Sequence, residues 1–227
     1  MLMNQKRLLR QLAGLIALFL TASALAQQAK TLDEVMSYDG LRKIDIKGID
    51  TAYALSGATL AGYKTVMIQP IGVRFHKSWK PTVPGSRRSL SSSELQKIRD
   101  DVAECVRDAF VEELKKGGYS IVSEPGPDVL RVQTAIINLY ITAPDVATAG
   151  RTRVYTVSAG EMTLLAELAD SETGEIIVRI LDRYQARSAG SFQLSSAVHN
   201  AAEARNAASG WAKILRGELD KAKTITN

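Results

Sequence analysis

The run Ser91–Lys116, SSSELQKIRDDVAECVRDAFVEELKK, decides how this chain is read. Leu95, Ile98, Val102, Cys105, Val106, Ala109, Phe110 and Leu114 recur at three- and four-residue steps, so they share one stripe of a helix. Lys97, Arg99, Asp100, Arg107, Asp108 and Glu112 fall largely on the opposite, wet side. Ser91 with Glu94 fits a capping box, in which hydroxyl and carboxylate each satisfy a free backbone N–H. Gly117 and Gly118 stop the helix, because glycine accepts the left-handed conformation of a C-terminal cap. A helix with one apolar stripe needs a surface to cover, and the strand-like runs on either side supply a sheet.

Before the helix, YKTVMIQPIGV (Tyr63–Val73) is apolar on both faces and reads as a central strand that ends or bulges at Pro70. After it, Tyr119–Ser123 is a short strand, EPGPD a turn, and Val129–Ile141 a long strand. Strict alternation there would put Leu130, Val132 and Ile136 on one face and Ile137, Leu139 and Ile141 on the other. Glu161–Asp170 and Glu175–Tyr184, linked by SETG, read as a hairpin. Ala197–Lys223 is a second amphipathic helix with Val198, Ala201, Ala208, Trp211, Leu215 and Leu219 on its stripe. The predicted fold is α+β: a two-layer sandwich of a mainly antiparallel sheet of about five strands, with two long helices on one face. Cys105, Phe110, Ile136 and Trp211 are expected to share its core.

Residues 1–26 have the form of a signal peptide. Lys6, Arg7 and Arg10 form a charged region, Leu12–Leu20 an apolar one, and Ala24-Leu25-Ala26 a cleavage site. The apolar run is short of the ~20 residues that a membrane span needs, and no later segment could cross a bilayer. Residues 27–62, interrupted by Gly40, Gly48, Gly57 and Gly62, read as an extended, partly docked segment in which Leu32–Tyr38 could make a turn or two of helix. Residues 63–224 then form a single domain. The expected product begins at Gln27 and resides in the periplasm.

The formal charge of +5 is concentrated at the start of the chain. Three of the 29 basic residues lie in the first 26 positions, where there is no acid, which leaves 26 basic against 24 acidic residues. Such a balance argues against a nucleic-acid partner. The single cysteine excludes an internal disulfide and a cysteine metal cluster, and Cys105 reads as a small apolar group. Gly57–Thr65, GATLAGYKT, nearly matches a phosphate loop, but Tyr63 separates the second glycine from the lysine and a strand follows where a helix is required. His76 and His199 lack ligand spacing, and no nucleophile elbow, zinc helix or dinucleotide fingerprint is present. No catalytic, metal or cofactor residue is assigned.

Two features remain as candidates. Glu161, Glu167, Asp170, Glu172, Glu175 and Asp182 gather around the hairpin, which would serve a hydrolase if they converged. The loop Arg74–Arg88 holds Arg74, Lys77, Lys80, Arg87 and Arg88 without an acid, with Trp79 between two lysines. Trp79 at a head-group interface, with lysines on phosphates, would suit an anionic surface or an unidentified envelope partner. The expectation is a non-catalytic binding or accessory module. A transport- or assembly-accessory subunit docking on an envelope complex is the alternative.

In order along the chain, AGYKTVMIQPIGV, ELKKGGYSIVSEPGPDVLRVQTAI, AELADSETGEIIVRILDRYQAR and the last helix with Trp211 resemble a bacterial envelope family known as domain of unknown function 3313. That resemblance implies a lipoprotein-like relative with no known activity or site residues. The cysteine that would carry a lipid is absent here, since Gln27 follows Ala26.

Overall fold

The computed structural model describes residues 32–79, 89–141, 159–185 and 197–225; the region read as a signal peptide and most of the cationic loop lie outside them. Among the described residues eight strands form one sheet: β1 Leu41–Ile44, β2 Thr51–Leu55, β3 Thr65–Ile68, β4 Gly72–Phe75, β5 Ser120–Ile121, β6 Val129–Ile141, β7 Ala159–Asp170 and β8 Ile176–Gln185. The helices are α1 Leu32–Met36, α2 Ser92–Lys116 and α3 Ala197–Ile225. The strand order is β1-β2-β8-β7-β6-β3-β5, and β4 also pairs with β6.

The α+β class holds, with a larger sheet than the five strands expected. Residues 41–55 add β1 and β2, which pair antiparallel to each other, and β2 pairs antiparallel to β8. The predicted strand at Tyr63–Val73 divides at Pro70 into β3 and β4, and both run parallel to β6. Ile68 stands opposite Val132 and Gly72 opposite Ala135, so one extra residue bulges out around the proline, which has no N–H for the ladder. β3, β4, β5 and β6 form a parallel half joined through α2, because parallel neighbours need a long crossover. The antiparallel half is β6-β7-β8-β2-β1.

Both long helices pack on the same face. Ile98, Val102, Val106, Phe110 and Leu114 of α2 and Ala208, Trp211, Leu215 and Leu219 of α3 share one core with Val132, Ile136, Leu164, Leu168 and Val178. Phe110, Ile136 and Trp211 lie in it as predicted, and Cys105 packs half-buried at its edge. Burial pushes the Cys105 thiol pKa up, while the neighbouring Arg205 pulls the other way. The opposite face of the sheet carries a smaller cluster, in which Met36 of α1 packs on Leu41, Tyr53 and Leu165.

The alternation expected along β6 fails at one residue. Asn138 takes a φ of 53°, in the left-handed region that asparagine tolerates better than most residues. Between Ile137, opposite Thr163, and Tyr140, opposite Glu161, one residue is left over. This bulge turns Leu139 and Ile141 to the helix face, where they join Leu130, Val132 and Ile136 in the core.

The ends of α2 follow the local code closely. The Ser91 hydroxyl accepts from the Glu94 N–H at 3.3 Å, and the Ser91 N–H donates to the Glu94 carboxylate at 2.8 Å. Ser91→Ala is expected to lower stability by about 1 kcal/mol, measured as a shift of the urea midpoint at unchanged slope. The two glycines after the helix serve different purposes. Gly118, at φ 76°, is the left-handed cap residue. Gly117 has an ordinary φ, but a Cβ there would meet the Arg216 side chain at 2.8 Å. That close approach lets Arg216 reach the buried Glu113 carboxylate at 2.9 Å and ties α3 to α2.

Candidate functional site: an apolar pocket under the helices

Between the sheet and the two long helices lies a cavity of about 130 Å³. Its floor is Val132 of β6, Leu164, Ala166 and Leu168 of β7, and Val178 and Ile180 of β8. Phe110, Trp211 and Leu215 close it from the helix side, and Ile44, Ile46, Ile49, Leu60, Ile214 and Glu218 complete the wall. The floor residues other than Ile180 are buried, whereas Ile44 is 39% exposed and Ile49, Leu60, Ile214 and Glu218 are partly exposed. The mouth therefore lies where the β1–β2 connection meets the second half of α3.

The β1–β2 connection is held over the pocket by a reciprocal pair of bonds. The Asp50 N–H donates to Asp182 Oδ1 at 2.8 Å, and the Arg183 N–H donates to Asp50 Oδ2 at 3.0 Å. The second oxygen of Asp182 accepts the indole N–H of Trp211 at 2.6 Å. One buried carboxylate thus fixes both the cover and the aromatic wall. Leu60 comes from the run that resembles a phosphate loop; no helix follows it, and β3 does.

The hairpin carboxylates do not converge. Asp182 points to the helix face. Glu167, on the opposite face, accepts from Arg179 Nε at 2.7 Å, and both side chains are buried. Arg179 Nη1 also donates to the carbonyls of Val35, Met36 and Tyr38, and Nη2 to Asp39 at 2.9 Å. This arginine therefore clamps the α1 segment onto the sheet. Glu161 pairs with Arg183 at 2.9 Å. Asp170 Oδ1 accepts the N–H groups of Glu172 and Thr173 in the turn. The Thr173 N–H chiefly holds the Asp170 carboxyl below the usual carboxylate range. Each of these four carboxylates has a structural partner, and none of them lines the pocket.

The cationic loop differs from its expected role at Trp79. The indole is 9% exposed, donates to the Ile141 carbonyl at 2.9 Å, and stacks on Phe75 with centroids 4.4 Å apart. It anchors the start of the loop to the core and is not presented to a head-group interface. Arg74 is partly buried and Lys77 exposed, while Lys80, Arg87 and Arg88 lie outside the described residues. His76 is bonded to the Ser78 hydroxyl at 2.7 Å. Among the described residues no three His, Cys, Asp or Glu side chains gather to hold a metal, and no helix is long and apolar enough to cross a membrane.

No pocket residue was singled out in the sequence as a site. Phe110 and Trp211 read as core, and Ile44, Ile46 and Ile49 lie in the segment 27–62 read as extended and partly docked. The spacing of those three isoleucines was the available signal.

The chain shows low similarity to several solved structures. The PelC dodecamer from Paraburkholderia phytofirmans is 14% identical with a TM-score of 0.39, covering 73% of this chain and 96% of that one. A DUF4136 family protein from Bacteroides thetaiotaomicron is 14% identical with a TM-score of 0.35, covering 72% and 95%. Protein XCC0632 from Xanthomonas campestris, of the DUF330 family, is 15% identical with a TM-score of 0.35, covering 74% and 93%. No curated protein matches the chain in sequence. The family model described as "Protein of unknown function (DUF3313)" matches residues 27–215, and the chain belongs to that family.

Proposed function

We propose that this protein is an exported, non-catalytic module of the cell envelope that works by holding an apolar ligand between its sheet and its helices. The pocket carries this reading. A well-packed interior leaves few voids larger than a water molecule, and here a cavity of about 130 Å³ opens at a mouth of partly exposed apolar side chains. Apolar pockets with a small number of polar groups are the usual form of a ligand site. The engagement of Glu161, Glu167, Asp170 and Asp182 in structural bonds supports binding over hydrolysis. The charged, apolar and small-residue regions of residues 1–26 support export to the periplasm.

Two measurements test the reading. Amino-terminal sequencing of protein from the periplasmic fraction should begin at Gln27, and a chain beginning at Met1 in the cytoplasm would overturn export. Saturating benzene, small enough for the cavity, should raise the melting temperature of the purified protein. A melting temperature unchanged by benzene would overturn the pocket as a binding site.

A further inference from the structure

We propose that the occupant of the pocket is a single saturated hydrocarbon chain, the acyl tail of a fatty acid or a lipid, whose polar end stays outside. The inference rests on the reading of the cavity as a binding site and names the chemistry that fits it. The polar groups of the wall are already engaged. The Trp211 N–H is given to Asp182 at 2.6 Å, and the Glu218 carboxylate at the mouth accepts from Lys221. A ligand with a polar group at the floor would bury it without a partner among Leu164, Ala166 and Val178, which is strongly unfavourable. The inserted portion is therefore hydrocarbon throughout.

Size and shape narrow the choice further. An apolar cavity of roughly 150 Å³ admits a six-carbon ring, so about 130 Å³ takes a comparable length of alkyl chain and no fused ring system. The pocket also has an open end. Apolar surface continues outward through Ile49, Leu60, Ile214 and the exposed Ile44, which a ligand confined to the floor would leave in water. A chain entering end-on covers floor and mouth together. Charge is available where its polar end would emerge. Arg42 is exposed and shares the helix-side face of β1 with Ile44, and the Glu218–Lys221 pair sits on α3.

The chain has two tryptophans, and only Trp211 lines the pocket. In a Trp79→Phe background its emission therefore reports on the occupant. Stearate brominated near its methyl end should quench it saturably, at one chain per protein. Ala166→Phe, which fills the floor, should weaken that quenching at least tenfold. Ile214→Glu, which places a charge at the mouth, should do the same if the first variant does not fold. Quenching by bromobenzene without quenching by bromostearate would overturn the hydrocarbon chain and leave the pocket as a binding site. Quenching by neither would overturn both. Bromostearate quenching that Ala166→Phe and Ile214→Glu leave unchanged would place the chain elsewhere and overturn the proposal. If phosphatidylcholine vesicles with brominated tails quench as well, the source is membrane lipid; quenching by the free acid alone makes it a free fatty acid.

Discussion

Replacing Arg179 with Ala is expected to destabilise the protein by about 3–5 kcal/mol, because it leaves the Glu167 carboxylate buried without its counter-charge. The same change frees the carbonyls of Val35, Met36 and Tyr38 and releases Asp39, so the α1 segment should lose its hold on the sheet. Chemical denaturation measures the loss. Limited proteolysis should cut near Tyr38 in Arg179→Ala well before it cuts the parent.

The pH dependence of that loss has a definite sign. Burial pushes the Glu167 pKa up, and the Arg179 charge opposes the rise. Without Arg179 the rise is larger. A carboxyl with a raised folded-state pKa favours folding below its unfolded pKa, and that contribution disappears as pH climbs through the folded value. The penalty of Arg179→Ala should therefore be greatest at neutral pH and shrink on acidification. Replacing Arg179 and Glu167 together by Leu should recover much of the loss, since well-packed apolar side chains can replace a buried ion pair at little cost. A penalty that is flat with pH would show that Glu167 is not the group left uncompensated.

Phe110→Ala should cost about 3–5 kcal/mol as well, through lost burial and an enlarged cavity. Phe110 is 3% exposed and belongs both to the core under α2 and to the pocket wall. A second effect separates it from an ordinary core truncation. Because the deletion widens an existing pocket, saturating benzene should raise the melting temperature of Phe110→Ala more than that of the parent. If Phe110→Ala melts like the parent, α2 does not cover the sheet as described.

How much of this was legible in the sequence depends on the range of the interactions. The helix Ser91–Lys116 could be read because its stripe, its capping box and its C-terminal glycine are local signals. The hairpin could be read for the same reason: Gly174 has a φ of 78° and Asp170 organises the turn. β1 and β2 were harder, because each is short: β2 becomes a strand by pairing with residues more than a hundred positions away on β8, and β1 by pairing with β2. Along β6 a single left-handed Asn138 reset the alternation, and nothing in the flanking apolar residues marks it. Trp79 looked available for binding because its neighbours in sequence are cationic; its bond to Ile141 is a long-range fact. The pocket is legible least of all. Its walls come from β1, β6, β7, β8, both long helices and two connections, and no wall residue taken alone reads as part of a site.

The most direct test of the account is methyl NMR of the purified protein under xenon pressure. Xenon is apolar, small enough for the cavity and without preference for charge. The account predicts that shifts concentrate on the methyl groups of Ile49, Leu164, Val178 and Ile214, which line the pocket, and spare Leu41 and Leu165 on the opposite face of the sheet. Unshifted pocket methyls, or equal shifts at Leu41 and Leu165, would contradict it.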